Sequence, residues 1–514
     1  MKKKLSAKLI DLQNFPGQAS VQTSYAQACQ IAEQAFKQNA IVIAEFRYQQ
    51  VHATAPKEIE PGLKLLALYA IRGKLSEGAS LANKLLRHHP RSITLLWQMA
   101  ELADRGGDYD SAHGYLQKSA ALAPGKTGTL YRMARLANSY GHHRESRLLL
   151  KKILEIDSLH ANAVWNLIVN HGDRSDKVLK SLQDILDSNP GNTSDDAMVY
   201  YAAARTSTND NEQFAFLHKA NSLLAATRQW DIRPDIEKFE KLSERFLPAV
   251  AKSQIKSVES PNTPNTPIFI AALPRSGTTL LEQILGAHTQ THGIGESMAF
   301  CWAIQDTAVQ LGLKPGYEEW SNLEKLTAPL ATNFWNNELV QKTKGKHLVD
   351  KSIDNFENIG AILSAMPDAK IICLKRHPLD VILSNYQACF ARGFHYSFKL
   401  EDLAEYSKLF SDYMNLWEDE FGERIFFIEY ENLVTAPETA LTELLEYCDL
   451  PWEDGCMRFF EQESRIATAS VTQARQPIHT NSIGRWKRYS KHLKPAADIL
   501  EIDLENSAPA SKLS

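Results

Sequence analysis

Gly73, Gly107 and Gly141 stand 34 residues apart, and the same step recurs in other registers of the first half of the chain. Pro90 and Pro124 keep the offset, with Ser158 at the next place in that series. Leu65, Met99 and Met133 repeat, as do Leu66, Ala100 and Ala134, then Leu68, Leu102 and Leu136, then Leu86, Ala120 and Leu154. A unit this short cannot bury its apolar face alone, so neighbouring units must stack on one another. The glycine ends the first helix of each unit and permits a tight turn. Small residues such as Ala100 and Ala112 let the two helices approach, and the proline ends the second helix. To about residue 250 the chain reads as helix after helix, with no strand pattern. These features predict a curved stack of paired antiparallel helices with a concave face.

The period, the mid-repeat small residue and the closing proline make the tetratricopeptide (TPR) pattern. It is clearest over residues 57–158, and 159–190 form a repeat shortened to 32 residues. Residues 191–227, and those before 57, are degenerate repeats or caps; residues 228–250 read as one more helix. Trp97 and Tyr131 sit near the place where such repeats often carry an aromatic side chain. Two roles stay open for the concave face: docking of a peptide or protein partner, or a scaffold or dimerisation arm without a ligand. The proline-rich stretch Ser257–Pro267 then marks a boundary. The division expected is a TPR-like domain over 1–250 (clearest over 57–190), a linker over 251–266 and a second domain over 267–514.

A length of 514 residues agrees with more than one domain. Charges nearly cancel, with 57 Lys+Arg against 61 Asp+Glu. That argues against bulk nucleic-acid binding, while leaving room for a local basic pocket. No apolar run reaches the ~18–20 residues of a membrane-spanning helix. Met1-Lys2-Lys3-Lys4 resembles the start of a secretion signal, but Asp11, Gln13, Asn14 and Gln18 interrupt the apolar core that should follow. The six cysteines are scattered, which predicts free thiols in a reducing, cytoplasmic setting.

The second half opens on Ile268-Phe-Ile-Ala-Ala-Leu-Pro-Arg-Ser-Gly-Thr-Thr-Leu-Leu-Glu-Gln-Ile-Leu285. An apolar strand, a tight Ser-Gly-Thr-Thr loop and an amphipathic helix make an anion cradle, since backbone N–H groups and the helix dipole face the charge. Arg275 adds a bidentate donor, Gly277 permits close approach, and Ser276, Thr278 and Thr279 supply hydroxyls. A triphosphate loop would require a glycine where Ala272 stands and a lysine where Thr278 stands. The later strand Ile371–Arg376 ends in basic residues rather than in a magnesium-holding aspartate.

These residues resemble the sulfotransferases that use 3′-phosphoadenosine-5′-phosphosulfate (PAPS). Pro274–Leu280 is similar to their 5′-phosphosulfate loop. Arg376-His-Pro-Leu-Asp-Val-Ile-Leu-Ser384 is similar to their 3′-phosphate motif, in which an arginine and a helical serine grip one phosphate from two sides. The resemblance covers roughly residues 266–495 and is closest to tyrosylprotein sulfotransferases and their TPR-bearing bacterial relatives. It implies an α/β three-layer domain with a parallel sheet, of P-loop-like sulfotransferase fold, behind the all-α TPR solenoid.

By that resemblance Glu296, after Gly295, is the general base, and Lys351 in Val349-Asp-Lys351 stabilises the leaving charge together with Arg275. Tyr430 contacts the nucleotide, and Arg485, within Ser482–Tyr489, belongs to a segment closing over it. PAPS is the implied donor, without a metal. The acceptor is a peptide, a protein or a small hydroxyl compound. Animal tyrosylprotein sulfotransferases show two adjacent glutamates at the base position, whereas here Ser297 follows Glu296. His288 or His292 is the reserve base, and Trp302, Trp320 and Trp335 are expected around the acceptor pocket. The competing functions are a P-loop nucleotide phosphotransferase and a TPR adaptor with an inactive nucleotide-binding domain.

Overall fold

The computed structural model describes residues 5–13, 16–188, 194–246, 266–313, 323–343, 346–390, 393–462 and 475–505. The linker segment 251–265 and Trp320 lie outside the described residues. A two-stranded antiparallel hairpin, β1 (Leu9–Gln13) and β2 (Ser20–Ser24), comes first. This corrects the expectation of helices alone. In Leu9-Ile-Asp-Leu-Gln13 strand alternation drops Ile10 and Leu12 onto Tyr25, Ala28 and Val51. Five alternating residues were hidden by the helical pattern that follows them.

Helices α1 (Tyr25–Lys37) and α2 (Ile41–Thr54) precede the regular array. Four helical pairs follow: α3 (Ile59–Arg72) with α4 (Leu75–His88), α5 (Ile93–Arg105) with α6 (Tyr109–Leu122), α7 (Thr127–Ser139) with α8 (His143–Ile156), and α9 (Ala161–Val169) with α10 (Asp176–Asp187). Their first helices start at 59, 93, 127 and 161, a constant step of 34. Gly73, Gly107 and Gly141 all take left-handed φ values of 69°, 75° and 85°, which side chains with a Cβ adopt at a cost. One more hairpin, α11 (Ser194–Thr206) and α12 (Asp210–Thr227), and the short α13 (Arg233–Lys241) complete the helical half.

Among the described residues of the second half, five parallel strands form one sheet: β3 (Ile268–Ala271), β4 (Thr291–Gly295), β5 (His347–Asp350), β6 (Lys370–Lys375) and β7 (Ile425–Glu429), in the order β4-β5-β3-β6-β7. The central strands β3 and β6 are apolar on both faces, as a sheet covered by helices on both sides requires. Ile268, Ile270, Ile372 and Leu374 face one layer, with α14 (Thr278–Gly286) among its helices. Phe269, Ala271, Ile371 and Cys373 face the other. That second layer holds, among others, α15 (Ala299–Gln310), α16 (Leu323–Trp335), α18 (Ile359–Ala365), α19 (Pro378–Tyr386) and α20 (Leu400–Phe421), with the short α17 (Glu338–Gln341) between α16 and β5. Tyr201, Phe214 and Leu217 from α11 and α12 join the same core, so the helical half ends inside it. The chain passes from β5 to β6 across β3, and a doubly wound sheet opens its ligand crevice at the carboxyl ends beside such a switch.

Successive turns of the helical array dock on the second half. Arg72, 3% exposed, sits between Glu45 and Asp306 with its guanidinium over the Trp302 ring. Ser76 donates its backbone N–H and its hydroxyl to the Glu338 carboxylate. Lys342 Nζ donates to Gly106 O at 2.6 Å, and Arg475 Nη2 to Ser139 O at 3.0 Å. Among the described residues no helix is long and apolar enough to cross a membrane.

Candidate active site

The loop between β3 and α14 is held from three sides. Arg275 takes a left-handed φ of 69°, unusual for a residue with a side chain, and the arrangement around it fixes that strain. Arg376, just past β6, donates Nη1 to Arg275 O at 2.9 Å and Nη2 to Ser482 O at 2.6 Å. Arg275 in turn donates Nε to Ser384 Oγ at 3.1 Å. At Gly277, with φ 108°, an added Cβ would lie 2.5 Å from Tyr430 Cδ2, so only glycine fits beneath that ring. Tyr430 begins α21 (Tyr430–Thr435), and the Arg376 guanidinium lies over its ring, 4.4 Å from the centroid. Arg376 thus joins the loop, the Tyr430 ring and the C-terminal segment, while its Nε is buried without a hydrogen-bond partner.

Positive charge converges here. Desolvation together with Arg205, Arg376 and Arg485 pushes the Arg275 guanidinium down to about 10. Arg485 Nη2 approaches Gln387 Oε1 at 3.3 Å, one turn beyond Ser384. Backbone N–H groups at the start of α14, a buried guanidinium N–H and these cations together suit a phosphorylated nucleotide.

A second cluster forms where β4 and β5 end. Lys351, 1% exposed, donates Nζ to Glu296 Oε1 at 2.7 Å and lies 3.8 Å from Glu282 Oε2. Glu282 also accepts from Gly295 N at 2.8 Å, which pins the strand end that carries Glu296. Burial opposes the charge on Lys351, but Glu296 and Glu282 outweigh it and raise its pKa. Burial raises the pKa of Glu282, with Lys351 acting against it. Lys351 therefore pairs with these glutamates rather than with Asp350 or Asp354. Asp350 accepts instead from Ser297 Oγ at 2.7 Å, Ser352 N at 2.7 Å and Asn355 Nδ2 at 3.0 Å. Ser297, the departure noted beside Glu296, thereby anchors the turn that bears Glu296 to β5.

One cavity of about 1050 Å³ joins the two clusters to the concave face of the helical array. Arg275, Thr279, Glu282, Glu296, Ser384 and Arg485 line it from the second half. Trp97, Tyr131, Arg135, Asn166 and Arg205 line it from the first. Ser276, Gly277, Thr278, Lys351, Arg376 and Tyr430 are not among the lining residues; Ser276, Lys351 and Tyr430 are buried and the other three half-buried. Trp302 lines the cavity, but Trp335 is buried in the sheet core against Phe334, which corrects its expected place at an acceptor pocket. His288, 1% exposed, has Nε2 on Pro451 O at 2.9 Å and accepts at Nδ1 from Gln290 N, so it is no reserve base. His292 lines the cavity.

Glu282 and Arg205 went unnoticed in the sequence. Glu282 carried a signal: a carboxylate inside the apolar stripe Leu281, Ile284, Leu285 of a helix that must pack on a sheet. Arg205 carried none, because it lies where the repeat has degenerated.

Residues 267–454 match the model of the sulfotransferase family. The second half carries a sulfotransferase-family domain. An uncharacterised protein of Aquifex aeolicus (strain VF5) is 30% identical over 406 residues, covering 75% of this chain and 52% of that protein. The chain thus spans about half the length of that relative. The protein-tyrosine sulfotransferase A of Caenorhabditis elegans is 22% identical over 258 residues, covering 47% of this chain and 67% of its own. The protein-tyrosine sulfotransferase of Drosophila melanogaster is 22% identical over 249 residues, covering 43% of this chain and 46% of its own. The matched residues thus contain the loop between β3 and α14, Glu296, Lys351, Arg376, Ser384 and Tyr430, while Arg485 and the helical array lie outside them.

Proposed function

We propose that the protein transfers a sulfuryl group from PAPS to an acceptor hydroxyl on a peptide or protein, with tyrosine as the leading candidate. The observation that carries this reading is the single cavity that joins an anion cradle, a lysine–glutamate pair and the concave face of the helical array. The likeness to protein-tyrosine sulfotransferases supports the acceptor class.

PAPS, when bound, would supply an activated sulfuryl group on a bisphosphate leaving group. Arg275, Ser276, Gly277, Thr278 and Thr279 would hold its 5′ end, and Arg376, Ser384, Tyr430 and Arg485 its 3′ end. Glu296 is 39% exposed and faces the cavity, where it can take the proton of an acceptor hydroxyl. Doing so requires it to share or release the Lys351 hydrogen bond. Lys351 keeps its proton, because two carboxylates favour its charge, and it presents that charge where negative charge develops on the leaving oxygen. Glu282 positions both by holding Gly295 N–H and facing Lys351. The concave wall orients the acceptor chain, which is the role we assign to the repeats.

The test is to incubate the purified protein with cell extract and PAPS carrying a radioactive sulfonate. Label is expected in protein, and less of it when adenosine 3′,5′-bisphosphate is added. Tighter binding of ATP with magnesium than of adenosine 3′,5′-bisphosphate would overturn the proposal in favour of a phosphotransferase.

A further inference from the structure

We infer that Arg205, from the helical-repeat half, is a ligand of the donor nucleotide and contacts the phosphate that Ser384 faces. This deepens the proposed function and rests on it.

Arg205 stands near the end of α11, whose apolar face is built into the core of the sulfotransferase half through Ala197, Tyr201 and Ala204. Burial of that face fixes the guanidinium stem relative to the sheet. Its backbone is held as well, since Arg174 Nη2 donates to Arg205 O at 2.7 Å. The side chain is exposed, yet it opens into the cleft rather than outward. It lines the large cavity and also a second one of about 440 Å³. Gln387 and Arg485 line both as well, so these three side chains form the partition between the cavities. Ser384 and Gln387 lie one helical turn apart at the end of α19, and Arg275 is bonded to Ser384. Arg205, Arg275 and Arg485 therefore close around one short stretch of α19.

Among the described residues no carboxylate lies within ion-pair distance of Arg205 or Arg485, whereas the neighbouring Arg488 is paired with Asp210. Like charges held this close repel one another: burial first, and then the neighbouring guanidinium groups, lower the pKa of Arg205 and of Arg275. An anion of multiple charge relieves that repulsion at once, and guanidinium groups suit the oxygens of a phosphate. The consequence is structural. The helical half completes the donor site and is more than a docking arm.

The experiment compares wild type, Arg205→Ala and Arg205→Lys by calorimetric titration with adenosine 3′,5′-bisphosphate and with adenosine 5′-phosphate, and by thermal melting. Arg205→Ala is expected to weaken the bisphosphate about 10- to 100-fold, as befits one charge-assisted hydrogen-bonding group, and to change the monophosphate far less. Arg205→Lys should fall between, with melting temperatures unchanged. Equal bisphosphate affinity in wild type and Arg205→Ala overturns the inference, and so does equal weakening for both nucleotides. A wild type that binds neither nucleotide overturns the proposed function itself.

Discussion

Lys351 and Glu296 share a 2.7 Å ion pair whose ends differ in exposure: the lysine is 1% exposed and the glutamate 39%. The lysine is locked in place by the sheet, and the glutamate reaches the cavity. This division suits a fixed cation beside a carboxylate free to receive a proton. Glu296→Gln keeps the shape and removes the base. It is expected to lower the transfer rate about 10²- to 10⁴-fold with unchanged affinity for adenosine 3′,5′-bisphosphate. Steady-state rates with labelled donor, paired with calorimetry, read both. A matching loss of nucleotide affinity would mean that Glu296 holds the loop rather than the proton.

Lys351 also neutralises Glu282, which is 7% exposed on the other side. Lys351→Met leaves that carboxylate buried without its cation and is expected to destabilise the fold by about 3 kcal/mol, measured by urea unfolding. Adding Glu282→Gln should recover most of that stability, since glutamine still accepts from Gly295 N–H. The rate should stay about 10²- to 10³-fold low in both variants, because the charge at the leaving oxygen is gone. Recovery of rate along with stability would show that Lys351 acts only through the fold.

The repeat and the strand–loop–helix of residues 268–286 were legible in the sequence because both are local. The step of 34 residues survives as helix starts at 59, 93, 127 and 161. The loop's glycine and arginine announce themselves within ten residues of an apolar strand. What escaped depends on long-range packing. Arg205 enters the cleft only because α11 is swallowed by the core of the other half. Trp335 was misplaced because a tryptophan in a helix gives no sign of which side it buries. The hairpin of β1 and β2 was missed because Ile10 and Leu12 have an apolar floor only once α1 and α2 have packed.

The two halves are riveted at Arg72. Its guanidinium pairs with Glu45, itself 3% exposed, and with Asp306 of the other half. Arg72→Met should cost about 3 kcal/mol, since it leaves a buried carboxylate with Lys74 and the Gln49 amide but without its buried guanidinium partner. Limited proteolysis of the whole chain should then proceed faster as the halves loosen. An unchanged unfolding midpoint together with an unchanged cleavage rate would count against this role.

Acid should weaken one joint of the array in a defined window. Burial opposes ionisation of Asp173, but Lys151 Nζ at 2.9 Å and the Ser175 hydroxyl and N–H hold its carboxyl down to about 2. A carboxylate with a lowered folded pKa adds stability above its unfolded value of about 3.9, and that stability is lost as pH falls toward 2. After allowance for the partly exposed lysine, the contribution is about 1–2 kcal/mol. Lys151→Met should therefore be less stable than wild type at pH 7, with the difference closing as the pH drops from 4 to 2. Urea unfolding of both proteins across that range is the measurement, and a gap independent of pH would contradict the assignment.

Tyr131 carries the acceptor-docking role to a decisive test. It lines the shared cavity from α7, and its hydroxyl accepts from Asn166 Nδ2 at 2.9 Å, which fixes the ring on the concave wall. A rigid aromatic platform of this kind is a common energetic centre of peptide recognition, and truncating one costs about 2 kcal/mol. Tyr131→Ala is therefore expected to raise KM for a protein acceptor roughly 10- to 30-fold. Turnover of a small phenol and affinity for adenosine 3′,5′-bisphosphate should not change, because Tyr131 is not among the residues assigned to hold either. If the small phenol loses as much as the protein, Tyr131 supports the site through packing alone, and the concave face has no acceptor to hold.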